Sequence, residues 1–198
     1  WGRFLVELGG VDGDWYEGEN QRFYDEYKAG TLDILEFLRF SLQPLATHDM
    51  ATLNEWHARF MKEKIQPIIQ PRAQVLVDQH REAGDTLLII TATNRFVTAP
   101  IAAAFGIDNL LATEPAREHG RFTGEVADTP CFRGGTVKRL ARWLRETGHN
   151  LEGSFFYSDS HNDLPLLGLV PHPGAVDADD TLQQHAEQRG WKTISFRD

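Results

Sequence analysis

The run Leu87-Leu88-Ile89-Ile90 constrains the fold of this chain more than any other segment. Large apolar side chains in succession, without alternating polar ones, are typical of a strand that is buried on both faces. Such strands belong to parallel sheets that helices cover on both sides. Further strands are predicted at 110–112, 154–157, 174–176 and 192–196, and they are separated by predicted helices at 97–105, 135–146, 163–167 and 181–189. Strands that alternate with helices predict a parallel α/β sheet with crossover helices.

The first part of the chain has a different pattern. Apolar residues recur there at helical spacing in four segments, which are predicted to be helices near 1–8, 15–28, 32–44 and 53–65. Asp49 is a candidate cap for the last of them. We therefore predict a helical-bundle domain over residues 1–68 and an α/β domain over residues 69–198.

Charge and cysteine content exclude several classes of protein. The chain has 29 acidic and 20 basic residues, which give a formal net charge of −9. Nucleic acids and anionic membranes are bound mainly by Lys and Arg, so we expect neither as a partner. The single cysteine, Cys131, cannot form an internal disulfide, which favours the reducing cytoplasm. No apolar run approaches the roughly 20 residues of a membrane span.

Thr91-Ala92-Thr93-Asn94 directly follows the predicted buried strand. In open α/β sheets, ligands bind beyond the carboxyl ends of the strands. Hydroxyls and backbone N–H groups at a helix entrance can hold an anion, so we predict that Thr91, Ala92 and Thr93 bind phosphate. The alternative is that Thr91 or Thr93 only caps the next helix.

Two carboxylates follow the strand predicted at 154–157, within the segment Ser158-Asp159-Ser160-His161-Asn162-Asp163. Asp159 stands at the strand end and Asp163 just inside a helix, so both can lie on one side of a turn. Mg²⁺ needs only one or two protein carboxylates in addition to a substrate phosphate. We predict a Mg²⁺ site at Asp159 and Asp163, and Asn162 stands in the same segment. The alternative is an aspartate that only caps the helix.

Lys138 lies near the start of the helix predicted at 135–146. A lysine there could neutralise a bound phosphate and hold a carboxylate, so Lys138 is a candidate catalytic residue. The alternative is an ordinary solvated lysine on a helix surface.

The order of these motifs resembles the haloacid dehalogenase superfamily, and most closely its phosphoserine-phosphatase-like branch, subfamily IB. Ile89 to Asn94 is similar to the second motif, Gly120 to Val126 to that branch's Gly-x-x-Thr-Gly hairpin, and Tyr157 to Leu164 to the fourth motif. The resemblance covers nearly the whole chain. It implies a Rossmann-like core with an inserted helical cap, which corresponds to residues 1–68.

The same resemblance implies Mg²⁺-dependent phosphomonoester hydrolysis through an aspartyl-phosphate intermediate. It makes Thr91 a hydrogen-bonding partner of the transferred phosphoryl group and Asp159 a ligand of Mg²⁺. Asp163 would orient the water shell of the metal and the lysine, and Asn162 would contact the phosphate or its metal. Such a site stabilises negative charge in the transition state with a cation, a lysine and hydrogen-bond donors directed at the phosphoryl oxygens.

The chain departs from the family pattern in two places. The family's lysine aligns with Thr136, and Lys138 is two residues away, which rotates a side chain by about 200° around a helix. The nucleophile belongs to an Asp-x-Asp-x-Thr signature at the end of the first core strand, before the cap. Asp12-Gly13-Asp14 has no preceding strand and no following threonine. We predict that the chain lacks the signature, which then precedes Trp1; the alternative is a natural pseudoenzyme.

These observations predict a cytoplasmic phosphatase of small phosphorylated metabolites, with phosphoserine or histidinol phosphate as representative substrates. One alternative is a lipid-phosphate phosphatase of the phosphatidylglycerophosphate type, although the acidic charge disfavours it. Another is a non-catalytic phosphate-binding module.

Overall fold

The computed structural model describes residues 1–197 and divides into two compact units. Unit 1 comprises Trp1–Ile68, Thr93–Gly106 and Ala112–Pro130, and unit 2 comprises Ile69–Ala92, Ile107–Leu111 and residues 131–197. The first segment of unit 1 ends at Ile68, the last residue of the predicted helical domain, but two later segments are also grouped with unit 1. The assignment of residues 1–68 to a cap and of 69–198 to a core stays a prediction.

Helices and strands alternate along the later part of the chain, as the hydrophobic pattern predicts. The α-helices are α1 (Gly2–Glu7), α2 (Gly13–Ala29), α3 (Ile34–Thr47), α4 (Met50–Phe60), α5 (Pro71–Glu82), α6 (Arg95–Ala104), α7 (Gly134–Thr147), α8 (Leu164–Leu167) and α9 (Asp180–Arg189). The strands are β1 (Leu88–Asn94), β2 (Asn109–Thr113), β3 (Pro115–Glu118), β4 (Arg121–Val126), β5 (Phe155–Ser158), β6 (His172–Val176) and β7 (Lys192–Ile194). Short π and 3-10 turns follow α4, and a 3-10 turn, His161–Asp163, precedes α8.

Unit 1 is built around helices that pack on a hairpin. Its core includes Leu42, Leu45 and Leu53, which contact Phe122 of β4. The sequence predicts that α3 ends near Pro44, but the helix continues to Thr47. A proline inside a helix costs about 3 kcal/mol. The buried side chains on both sides of Pro44 offset this cost, because ending the helix there would expose Leu45.

The hairpin of unit 1 joins β3 and β4 in antiparallel pairing. Its turn uses His119 and Gly120, which both have positive φ, as the two-residue hairpin turn of type I′ requires. The sequence predicts a hairpin arm at 120–126, which β4 confirms, but it misses β3. The sequence does not predict β3, because the charged residues Arg117 and Glu118 interrupt the apolar pattern that is typical of strands.

Unit 2 contains parallel strands in the order β5-β6-β7. In the register of β5 and β6, Ser158 lies opposite Ala175, so both strands end at the same edge of the sheet. The strands β1 and β2 pair in a separate sheet. Buried Leu140, Leu166 and Leu167 belong to two apolar clusters of this unit.

Among residues 1–197, no helix has the length and apolar content that a bilayer span requires.

Leu42 provides a test of the unit 1 core, because its side chain has 0% exposure. We expect Leu42→Ala to lower the free energy of unfolding by about 2–5 kcal/mol, since it removes buried methyl groups and leaves a cavity. Leu35→Ala is the matched control, because Leu35 lies on the same helix with 49% exposure. Urea denaturation measures both variants, and equal effects would contradict the described packing.

Candidate active site

Residues 159–163, named the carboxylate loop, connect β5 to α8 in unit 2. The buried Ser158 hydroxyl donates a hydrogen bond to Asp163 Oδ2 at 2.6 Å and accepts one from the Ser160 amide at 3.1 Å. Ser160 Oγ in turn accepts a hydrogen bond from the Asn162 amide at 3.2 Å. These bonds hold Asp163 at the carboxyl end of β5, close to Asp159.

The two carboxylates of the loop differ in their surroundings. Asp159 is exposed, whereas Asp163 is half-buried. Burial raises the pKa of Asp163 above its usual value; the Ser158 hydrogen bond opposes this shift, and the charge of Asp159 adds to it. Two like charges at short range favour either the neutral form of one group or a cation beside both. The loop is therefore suited to bind a cation.

Asp179 holds the carboxylate loop from a second strand end. One of its oxygens, Oδ2, accepts hydrogen bonds from the His161 amide at 2.8 Å and from His161 Nδ1 at 2.9 Å. The other, Oδ1, caps α9 by accepting from the Leu182 amide at 2.9 Å. The Asp179 amide donates to the Asp159 carbonyl at 2.8 Å. Asp179 therefore joins the loop after β5 to the helix after β6.

The pKa of Asp179 reflects these contacts. Burial acts to raise it, but the hydrogen bonds from His161 and Leu182 together lower it below its usual value. Asp179 thus stays ionised and serves as an acceptor. Sequence reasoning missed this residue, although an aspartate between a predicted strand and a predicted helix is a recognisable capping signal.

Arg133 lies directly before α7 and contacts the carboxylate loop. Its Nε donates a hydrogen bond to Asn162 Oδ1 at 3.0 Å, and Asn162 is only 8% exposed. Arg133 has φ +48° and ψ −120°, which non-glycine residues rarely adopt. The sequence alone gives this residue no role.

The other residues of α7 that the sequence singles out lie on different faces. Thr136 is buried, with 4% exposure, and Lys138 is exposed. The offset of about 200° between these two positions accounts for the difference. A role for Lys138 at the phosphate stays a prediction.

Thr91, Ala92 and Thr93 lie within β1, which extends to Asn94, so they do not form a turn after the strand as the sequence suggests. Thr91 and Ala92 are half-buried in unit 2, and Thr93 is exposed and grouped with unit 1. The cap of α6 is Asn94, whose Oδ1 accepts from the Val97 amide at 3.1 Å. The capping alternative for the two threonines is therefore wrong, and phosphate binding by these residues stays a prediction.

The predicted absence of an Asp-x-Asp-x-Thr pattern is wrong. The pattern occurs once, as Asp177-Ala178-Asp179-Asp180-Thr181, directly after β6. Asp177 accepts hydrogen bonds from the Phe196 amide and the Ser195 hydroxyl, and these contacts lower its pKa. Both aspartates of the pattern are thus engaged in bonds that hold neighbouring segments together.

The donor set of the carboxylate loop fits Mg²⁺. This ion takes oxygen ligands and keeps several waters, so two carboxylates such as Asp159 and Asp163 are enough protein ligands. Within residues 1–197, no group of three or more His, Cys, Asp or Glu side chains is arranged to hold a metal. A site for a softer metal with a complete set of protein ligands is therefore not found in this part of the chain.

Comparison with known families identifies the family of this chain. Residues 4–168 match the haloacid dehalogenase-like hydrolase family, a segment that includes β1, α7 and the carboxylate loop. The chain therefore belongs to the haloacid dehalogenase-like hydrolase family. The predicted resemblance and the predicted α/β fold class are both confirmed.

Relatives of known sequence match all or three quarters of this chain. A histidinol-phosphatase from Neisseria meningitidis serogroup C (strain 8013) is 42% identical over 201 residues, which cover 100% of this chain and 90% of the relative. Two Mycobacterium tuberculosis relatives are 31% identical over 148 residues, which cover 75% of this chain and 51% of each relative. The chain thus spans about half the length of those two proteins.

Two solved structures share the fold. A protein of unknown function from Bordetella pertussis Tohama I has a TM-score of 0.93 and 40% identity, covering 99% of this chain and 90% of that one. A phosphoserine phosphatase solved as a phospho-aspartyl intermediate analogue has a TM-score of 0.69 and 18% identity, covering 98% and 85%. At 18% identity the likeness concerns the fold alone.

Asp163→Asn tests the cost of the buried charge. Asparagine keeps an oxygen acceptor for Ser158 but carries no charge. Because the folded-state pKa of Asp163 is raised, its ionised form destabilises the fold at neutral pH, and this penalty fades as the pH falls toward the usual value of 3.8. We expect Asp163→Asn to raise the melting temperature at pH 7 in chelator, with a smaller difference near pH 4. Asp108→Asn, at an exposed carboxylate, is the control, and a lower melting temperature for Asp163→Asn at pH 7 would contradict the description.

Asp179→Ala tests the link between the loop and α9. Loss of a helix cap costs about 0.5–2 kcal/mol, and the bonds to His161 are lost with it. We expect a lower free energy of unfolding at pH 7 by about 1–2 kcal/mol, measured by urea denaturation. Since the pKa of Asp179 is lowered, the difference should shrink as the pH falls below the usual value of 3.8. Asp180→Ala, at the exposed neighbour, should change stability little, and equal losses in both variants would exclude the proposed link.

Proposed function

We propose that this chain forms part of a Mg²⁺-dependent phosphatase that acts on a small phosphorylated metabolite in the cytoplasm. The observation that carries the proposal is the carboxylate loop, in which Asp159 and Asp163 stand beside the buried Asn162. Family membership supports hydrolysis as the reaction. The net charge of −9 disfavours anionic lipid surfaces as the site of action.

Each residue of the site has a distinct task in this proposal. Asp159 and Asp163 hold Mg²⁺, and Asn162 contacts the phosphate or the metal. Thr91 donates its hydroxyl to the transferred phosphoryl group, and Ala92 and Thr93 bind that group in the same strand. When bound, Mg²⁺ neutralises part of the charge on the phosphoryl oxygens.

We propose that the nucleophile is an aspartate that precedes Trp1. A carboxylate oxygen of this aspartate attacks phosphorus while the bond from phosphorus to the leaving-group oxygen breaks. An acid protonates the leaving-group oxygen. Water then hydrolyses the aspartyl phosphate and releases inorganic phosphate. Membership of the haloacid dehalogenase-like hydrolase family supports this, because the resemblance places the nucleophile at the end of the first core strand, before the cap.

The aspartates of the pattern at 177–181 are the competing location for the nucleophile. Their carboxylates already accept two or more hydrogen bonds each, which disfavours attack on phosphorus. Borohydride reduction of the phosphorylated protein, followed by peptide mass spectrometry, locates the modified aspartate. A label upstream of Trp1 supports the proposal, and a label on Asp177 or Asp179 would overturn this part of it.

For the substrate, we propose phosphoserine or histidinol phosphate. The relative from Neisseria meningitidis, named as a histidinol-phosphatase, supports the second of these. Residues 1–68 would form the helical cap that the family resemblance implies. The ratio of the kcat/KM values for the two compounds distinguishes them. Hydrolysis of a phosphorylated lipid in vesicles at the same rate as these compounds would favour a lipid phosphatase instead.

Asp159→Asn tests the metal-dependent reaction in the full-length protein that contains these residues. We expect turnover of p-nitrophenyl phosphate with Mg²⁺, its loss in excess chelator, and a decrease of about 100-fold or more in Asp159→Asn, since a removed charged interaction in the transition state costs several kcal/mol. Asp108→Asn is the matched control, because it removes an exposed carboxylate of unit 2. Retained turnover in chelator would refute the mechanism, and Mg²⁺ and phosphate binding without turnover would indicate a binding module.

A further inference from the structure

The carboxylate loop needs a positive side chain if it is to hold a phosphoryl group. A phosphomonoester carries about two negative charges at neutral pH, and Asp159 and Asp163 add two more. A metal ion neutralises only part of this charge. Thr136, which aligns with the family's lysine, carries no charge, and Lys138 is exposed on another face of α7.

We propose that Arg133 is the catalytic residue that supplies this positive charge by binding the phosphoryl oxygens. The inference rests on the proposed function. Arg133 is neither the residue at the family's lysine position, which is Thr136, nor the nearby candidate Lys138. Arg133 precedes Thr136 by three residues, in the segment that leads into α7.

The contact with Asn162 places the Arg133 guanidinium at the carboxylate loop. The two residues are 29 positions apart in sequence, and the hydrogen bond from Nε to Asn162 Oδ1 is 3.0 Å long. Asn162 is itself fixed, because it is 8% exposed and its amide donates to Ser160 Oγ. The guanidinium therefore lies beside Asn162, which directly precedes Asp163 in the sequence.

The backbone of Arg133 supports a functional role. Its φ of +48° is strained for a residue with a side chain, and Gly134 follows directly. Glycine would occupy such a conformation at lower cost. Strained backbone persists where the surrounding structure and function require a particular side-chain direction. Here it combines with the 3.0 Å contact to Asn162.

The chemistry of the side chain suits phosphate. A guanidinium is always charged, and its planar fork matches two phosphoryl oxygens at once. The Phe132 ring lies 5.0 Å from the Arg133 Cζ atom and limits the directions that the guanidinium can take. Arg133 can therefore supply the charge of the family's lysine, although it stands at a different position in the sequence.

Substitutions of Arg133 test the proposal by two readouts in the full-length protein. The first is binding of inorganic phosphate with Mg²⁺ present, by calorimetry, and the second is kcat/KM for p-nitrophenyl phosphate. We expect Arg133→Ala to weaken both by about tenfold or more, because a hydrogen bond to a charged group is lost. Arg133→Lys should restore part of the loss, and Arg145→Ala, at an exposed arginine of the same helix, should change neither.

A double-mutant cycle separates direct contact from positioning of Asn162. If Arg133 touches the phosphate, Arg133→Ala weakens phosphate binding further in the Asn162→Ala background. No further loss in that background would make Arg133 a positioning residue and overturn the proposal.

Other outcomes are equally decisive. Unchanged phosphate affinity in Arg133→Ala, or a loss in Lys138→Ala alone, would also overturn the proposal. If Arg133→Ala does not fold, as judged by circular dichroism, Arg133→Met keeps the length of the side chain without its charge and serves instead. A wild-type protein that binds phosphate but does not turn over substrate would refute the proposed function, while the binding data would still decide the role of Arg133.

Discussion

Burial of Asp163, together with repulsion from the nearby Asp159, is the constraint on which the site depends. Both carboxylates belong to one short loop, and burial with the nearby charge of Asp159 raises the pKa of Asp163. Such an arrangement costs free energy in the absence of a cation. A fold that keeps this arrangement gains binding energy for a cation at the expense of its own stability, as is common at active sites.

The surrounding residues hold the loop against this repulsion. The Ser158 hydroxyl orients one carboxylate, and the ionised Asp179 fixes the loop through two hydrogen bonds to His161. Arg133 adds positive charge on the side of Asn162. Because Asp179 also caps α9, the geometry of the site and the stability of the parallel sheet are coupled. We therefore expect a substitution of Asp179 to change both the geometry of the site and the stability of the sheet.

Periodicity and turn residues predict most of the fold, because apolar runs and caps act locally. The sequence predicts β1 as a strand buried on both faces, but residues Leu88 to Ala92 are half-buried. It also ends the strand too early, since Thr91 to Asn94 look like a turn by composition. It ends α3 at Pro44, because local propensity does not include burial of the next turn. Asp159 and Asp163 are recognisable as a pair within one short segment. The role of Arg133 and the contact of Asp179 with the loop are not, because they arise from contacts across 29 and 18 positions.

The most direct test of the account is the position of a bound metal. A crystal of the full-length protein grown with Mn²⁺, an oxygen-preferring substitute for Mg²⁺, and inorganic phosphate reports that position by anomalous scattering. The account predicts one strong peak within about 2–2.5 Å of the carboxylate oxygens of Asp159 and Asp163, with the phosphate beside it. A peak elsewhere, with no metal at these two residues, would contradict it.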